Sequence, residues 1–171
     1  MVADVMRTEC CAWLVGQGLA EEGGGEPVAP SAVGYVGDAL TPRERRRGGI
    51  EATIQAVANA AERAQRAGVD AIEIHMAHGY LLHQFLSPIS NLRTDEWGGS
   101  FENRTRLPLA VFDAMNKAAS HVEIGVRASA TDWIEGGLNL IGTDYIVELL
   151  NARCCAFVDC STGVLHSSHK I

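Results

Sequence analysis

The sequence predicts an α/β fold built on parallel strands. Three observations carry this reading. Stretches of helical apolar periodicity alternate with short apolar runs, in the order helix, strand, helix, strand, helix, strand. A helix stands between each pair of strands, which is the connection that parallel strands require. The link that follows the first strand is far longer than a compact domain normally tolerates, and such links usually carry function.

The first helix is read from Ile50, Ile54, Val57, Ala58, Ala61 and Ala64, with Glu51, Gln55, Glu62 and Arg66 on its other faces and Gly68 as its stop. Val69 to Ile74 reads as a buried strand. A second helix starts near Ser100, a residue suited to capping, with Glu102 in the first turn and Pro108 as an expected kink. Val122 to Ala128 is the second strand. Thr143 is the expected cap of a third helix carrying Ile146, Val147, Leu149 and Leu150, and Cys155 to Cys160 is the third strand. Residues 1–49 are punctuated by glycine and proline rather than periodic, with a short strand conceivable at Ala12 to Val15. This pattern does not separate an open sheet from part of a barrel.

Composition narrows the function classes. The chain has 171 residues with 14 basic and 21 acidic side chains, a net charge of −7, which argues against a general nucleic-acid binder. Arg43, Arg45, Arg46 and Arg47 form the single basic run, read as a solvated turn ahead of a helix. No stretch approaches a membrane span, and Asp4, Glu9 and Gly16-Gln17-Gly18 argue against a signal segment, so a cytoplasmic location is expected. The five cysteines form neither a disulfide framework nor a zinc-ribbon pattern.

The 24 residues from Met76 to Gly99 point to a site just beyond Ile74, because ligands of α/β folds sit where parallel strands end. His75 and His78 stand there. Two imidazoles three residues apart can aim donors at one oxygen and stabilise charge developing on it. A metal site and a purely structural role compete with that reading, although zinc needs a third protein ligand, with Cys160 the only candidate. Tyr80 can deliver a proton or pack on the apolar turn Leu81, Leu82, Phe85, Leu86. Arg127, at the end of the second strand, can face the same mouth and meet an anion, or pair with Asp132 or a neighbouring carboxylate. Arg93, Asp95, Glu102, Arg104 and Arg106 read as a network holding the long loop to the next helix. His83, His121, His166 and His169 look incidental.

The string AGVDAIEIHMAHGYLLHQFLSPISNLRTDEWGGSFENRTR, from Ala67 to Arg106, resembles the central signature of the old yellow enzyme family, the FMN-dependent ene-reductases and NAD(P)H:flavin oxidoreductases. VAPSAV, TPRE and VRASATDWIEGG agree, so the likeness runs from about residue 27 to 163, and HxxH places it nearer the bacterial and fungal branch than HxxN would. The resemblance implies part of a (β/α)8 TIM barrel, about strands four to six with their helices. A whole barrel takes about 250 residues. Residues 1–26 match poorly, with Gln17 a weak candidate for the family's glutamine, and residues 27–171 form the partial barrel domain. It further implies FMN as cofactor, NAD(P)H as reductant, and a small-molecule enone or other activated alkene as substrate. His75 and His78 match the substrate-binding pair, Tyr80 the catalytic proton donor, and Arg127 the arginine at the pyrimidine edge of the flavin. A half barrel has open parallel edges, so self-association into a homo-oligomer and weak or no FMN binding by this chain alone are expected. Two other readings stand beside it: a non-catalytic half barrel that self-associates, and a metal-dependent barrel enzyme using the HxxH pair.

Overall fold

The computed structural model describes residues 26–34, 41–163 and 165. Two short strands, β1 (Val28–Ala29) and β2 (Arg43–Glu44), pair in parallel ahead of the first helix. The chain then runs through α1 (Arg47–Arg66), β3 (Ala71–Met76), α2 (Leu81–Leu86), α3 (Phe101–Ala118), β4 (Glu123–Ser129), α4 (Leu140–Asn151) and β5 (Val158–Ser161). Strands β3, β4 and β5 form one parallel sheet in that order. Sequential parallel neighbours with a helix between each pair are the repeating unit of a β/α barrel.

Alternation along the strands decides which face meets the helices. Ile72, Ile74 and Met76 of β3, with Ile124 and Val126 of β4, are buried against a core that includes Ile50 and Ala61 of α1 and Leu107, Val111, Phe112 and Met115 of α3. Side chains of the opposite parity, Glu73 and His75, lie on the other face and are only partly buried. Gly125 shares that second face. A Cβ there would collide with the ring of Phe157, so the missing side chain is what lets the phenyl lie across β4.

Several expectations need correction. Each strand lies slightly further along the chain than its apolar run suggested. Asp70 and Val122 are loop positions, while Met76 and Ser129 extend β3 and β4. β5 starts three residues after Cys155, because the chain first turns through Cys154 at φ 60°. Ala156 N–H nevertheless already donates to Ile124 O, and Phe157 O accepts from Val126 N–H. Asn139, not Thr143, caps α4: its side-chain oxygen accepts from Gly142 N–H, while Thr143 lies inside the helix and donates to Ala130 O at 2.9 Å. α3 begins after Ser100 as predicted, with its Oγ accepting from Asn103 N–H, and continues unbroken through Pro108.

The region read as mere punctuation holds β1 and β2, and α1 starts three residues before Ile50. Arg46 and Arg47 are exposed, but Arg45 is partly buried and donates to Thr53 Oγ1 at 2.8 Å. The conceivable strand at Ala12 to Val15 lies outside the described residues, as do His166 and His169. Among the described residues no helix is long and apolar enough to cross a membrane.

Candidate active site at the carboxyl end of the sheet

Strand β3 ends at Met76, and the chain turns sharply through two successive left-handed residues, His78 at φ 56° and Gly79 at φ 73°. Glycine adopts that conformation freely; histidine does so only where its surroundings hold it. His78 is held on both sides. Its N–H donates to Ser129 Oγ at 3.1 Å, and its Nε2 lies 2.6 Å from Ser161 Oγ. The ends of all three strands therefore meet at this one residue.

The turn brings the predicted residues together. The rings of His75 and His78 are 5.1 Å apart between centroids, and those of His75 and Tyr80 are 4.9 Å apart. Arg127 pairs in register with His75 on the neighbouring strand, and Asp159 pairs in register with Arg127 on the next. An imidazole, a guanidinium and a carboxylate thus form one row across the sheet. Arg127 donates to Asp159 Oδ2, and its Nε lies 3.1 Å from Glu73 Oε1, close enough for an ion pair but not aligned as a hydrogen bond. Its partners are therefore these two carboxylates and not Asp132.

Burial pushes the His75 imidazole down to about 4, helped by neighbouring His78 and by the Arg127 charge. His78 is also lowered, first by burial and then by Arg127. Both rings are therefore neutral at pH 7. A neutral imidazole offers one N–H donor and one acceptor, and the partner of one nitrogen fixes the role of the other. The pair can donate hydrogen bonds to a ligand oxygen without carrying charge of its own.

The long loop is a scaffold rather than a lid. Asn91 Nδ2 donates to Phe85 O at 2.7 Å and to Trp97 O at 2.8 Å. Arg93 reaches Pro30 O, Arg45 O, Glu44 and Asp95, while Arg104 donates to Leu86 O and Gly99 O. Arg106 donates to Glu96 O at 2.7 Å. The mixed-charge network predicted to pin this loop to α3 is thus present. Arg93 holds Asp95 below the ordinary carboxylate range through their hydrogen bond.

His83 is not incidental. It is fully buried in α2, with Nε2 2.8 Å from Asp132 Oδ1. Asp132, equally buried, also accepts from Ser87 Oγ and Leu138 N–H, each at 2.6 Å. Burial pushes its carboxyl up, and these hydrogen bonds outweigh it, leaving the group below its ordinary value. A histidine inside the apolar run LLHQFL was the available signal, because a buried ring nitrogen needs a partner. Among the described residues no group of three or more His, Cys, Asp or Glu is gathered as a metal would need, so the metal reading finds no third ligand beside His75 and His78. A cleft of about 440 Å³ between the starts of α3 and α4, lined by Phe101, Arg104, Leu138 and Tyr145, includes none of the four predicted site residues.

Fold and site together define a class: part of a β/α barrel with a pair of neutral imidazoles at the carboxyl end of its sheet. The profile of the NADH:flavin oxidoreductase / NADH oxidase family matches residues 13–169. The chain belongs to that family. It is 41% identical to an NADPH dehydrogenase of Bacillus subtilis strain 168 over 82% of this chain and 41% of that protein. It is 50% identical to an NADH:flavin oxidoreductase of Gibberella zeae over 93% of this chain and 42% of that protein. Among solved structures it is similar to morphinone reductase, with a TM-score of 0.70 and 33% identity over 80% of this chain and 41% of that one. A 2-naphthoyl-CoA reductase complex matches with a TM-score of 0.75 and 32% identity over 81% of this chain and 21% of that one. The chain therefore spans about two-fifths of the length of these curated relatives.

The family implies FMN. The described residues fit one edge of such a ring. Arg127 stands at the carboxyl end of β4 with a buried Nε that no acceptor satisfies in hydrogen-bond geometry. Among the described residues no glycine-rich loop of phosphate-binding pattern accompanies it.

Proposed function

We propose that the protein is an FMN-dependent oxidoreductase of the old yellow enzyme type, reducing activated alkenes such as enones and nitroalkenes with NAD(P)H. The observation that carries this reading is the convergence of His75, His78 and Tyr80 at one strand end, with Arg127 one strand away in register. A flavin, when bound, supplies the hydride equivalent to the alkene. Arg127 would hold its pyrimidine edge.

The residues of this chain do the rest. His75 and His78 receive the carbonyl or nitro oxygen between two neutral donors, positioned where negative charge grows as the double bond is reduced. Fixed donors of this kind act most strongly in the transition state, because they need no reorganisation when the charge appears. Tyr80, packed against His75, holds the proton that completes the alkene's reduction. Ser161 and Ser129 keep His78 in its left-handed conformation, so its ring stays on the mouth side of the sheet.

The test uses the full chain with FMN, NADPH and 2-cyclohexenone, following enone-dependent NADPH oxidation. Replacing His75 or His78 by alanine is expected to lower the rate about 10²–10³-fold, the usual size for one lost oxyanion donor. Turnover that survives both replacements would remove the proposal.

One observation favours a second reading, a half barrel that assembles with itself. Among the described residues β3 and β5 each have one flank without a neighbouring strand. Exposed ladder edges of that kind recruit other strands. A chain that sediments as a defined oligomer and takes up no FMN on titration would favour this reading over the enzymatic one.

A further inference from the structure

Both backbone polar groups of Gly79 are held by consecutive side chains of α2. Gly79 N–H donates to His83 Nδ1 at 2.9 Å, and Gln84 Nε2 donates to Gly79 O at 2.6 Å. A backbone N–H can only donate, so Nδ1 must be bare and the ring proton must sit on Nε2. That proton then points at Asp132 Oδ1, an acceptor. The tautomer of His83 is thus dictated from both sides. Asp132 belongs to the loop after β4, where its own N–H also bonds Leu138 O at 2.9 Å. The chain of contacts therefore runs from the β4–α4 loop, through one imidazole, to the residue between His78 and Tyr80.

We propose that His83, oriented by Asp132, is a positioning residue for the reaction assigned above: it clamps the amide of Gly79 and so fixes the angle at which His78 and Tyr80 face the ligand. This inference rests on that functional reading. His83 touches neither His75 nor His78 by hydrogen bond, and it acts through the turn alone. Its aspartate has the task of keeping one tautomer in place, since a proton on Nδ1 would meet the Gly79 N–H head-on.

Two substitutions separate clamping from mere stability. In His83→Asn the amide oxygen stands where Nδ1 stood and still accepts from Gly79. In His83→Gln the amide nitrogen stands where Nε2 stood and still donates to Asp132. Each forfeits one of the two hydrogen bonds, so both are destabilised to a similar degree, but only His83→Gln frees the Gly79 amide. In the full FMN-loaded chain, kcat for 2-cyclohexenone should fall less than about tenfold in His83→Asn and about 10²-fold in His83→Gln, as a displaced catalytic group costs. Hydrogen exchange at Gly79 should be slow in the parent chain and in His83→Asn and fast in His83→Gln. Nitrogen-15 spectra of the His83 ring should show Nδ1 bare and Nε2 protonated.

Equal kcat and equal Gly79 exchange in the two variants would overturn the proposal, as would a proton on Nδ1. The ring spectrum and the exchange measurement need neither flavin nor turnover. A parent chain with the clamp intact but no enone reduction would count against the function, not against the clamp.

Discussion

The connection from Ala77 to Ser100 and the concave side of the sheet are built on opposite principles. Around the connection most polar groups are held by several partners: Asn91 serves two carbonyls, Arg104 of α3 two more, and the buried Asp132 of the β4–α4 loop three donors. On the concave side, Glu73, Arg127 and Asp159 form ion pairs that remain partly open to solvent. Buried polar groups that lose a partner are penalised heavily, whereas solvated pairs lose little. Rigidity is therefore concentrated beneath the site, and adaptability faces the place where a ligand would lie.

Three substitutions or conditions test that contrast. The largest effect belongs to Asp132→Ala, which strands His83, Ser87 Oγ and Leu138 N–H together; urea unfolding should show a loss of about 3–5 kcal/mol, the range for breaking a buried charged network. A loss below about 1 kcal/mol would mean that water or rearrangement replaces the carboxylate with ease. An intermediate effect is expected from pH. The His75 imidazole is lowered in the folded chain from an ordinary 6.5 to about 4. Between those values the unfolded chain binds the extra proton and the folded chain does not, so stability falls as pH drops from about 6.5 toward 4. His75→Asn should make the fall of the urea midpoint across that window shallower, the lowered His78 keeping part of it, and an unchanged slope would place the loss elsewhere. The smallest effect belongs to Asp159→Asn. It weakens a pair whose two side chains are 38% and 42% exposed, so the unfolding free energy should shift by about 1 kcal/mol or less. A larger shift would show that the concave side contributes to stability as the connection does.

What could be read from sequence follows the same division. That His75, His78 and Tyr80 come together with Arg127 one strand away was readable because it is positional: each lies near the carboxyl end of a strand, and strands follow from apolar runs. The parallel order of β3, β4 and β5 was readable for the same reason. The His83–Asp132 contact was not, because it spans 49 residues and depends on how two loops pack. For Arg127 the sequence offers Asp132 or a neighbouring carboxylate, and it is the neighbours, Glu73 and Asp159 on adjacent strands, that reach the guanidinium. Asn139 caps α4 where Thr143 is expected because helix starts are set by which side chain finds the free N–H groups, and both residue types suit the task. The helix within LLHQFL was missed because a six-residue segment with four apolar side chains fits a turn as well as a helix.

The row formed by His75, Arg127 and Asp159 also bears on how the sheet assembles. If β4 slid along β3 by two residues, its burial pattern would be preserved, so hydrophobicity alone does not forbid the error. The guanidinium would, however, move about 6.6 Å along the strand. A slide toward the carboxyl end of β3 would carry it away from Glu73, its diagonal neighbour on that strand. The Glu73–Arg127 pair therefore disfavours a slip of β4 in that direction, which hydrophobic burial alone would allow.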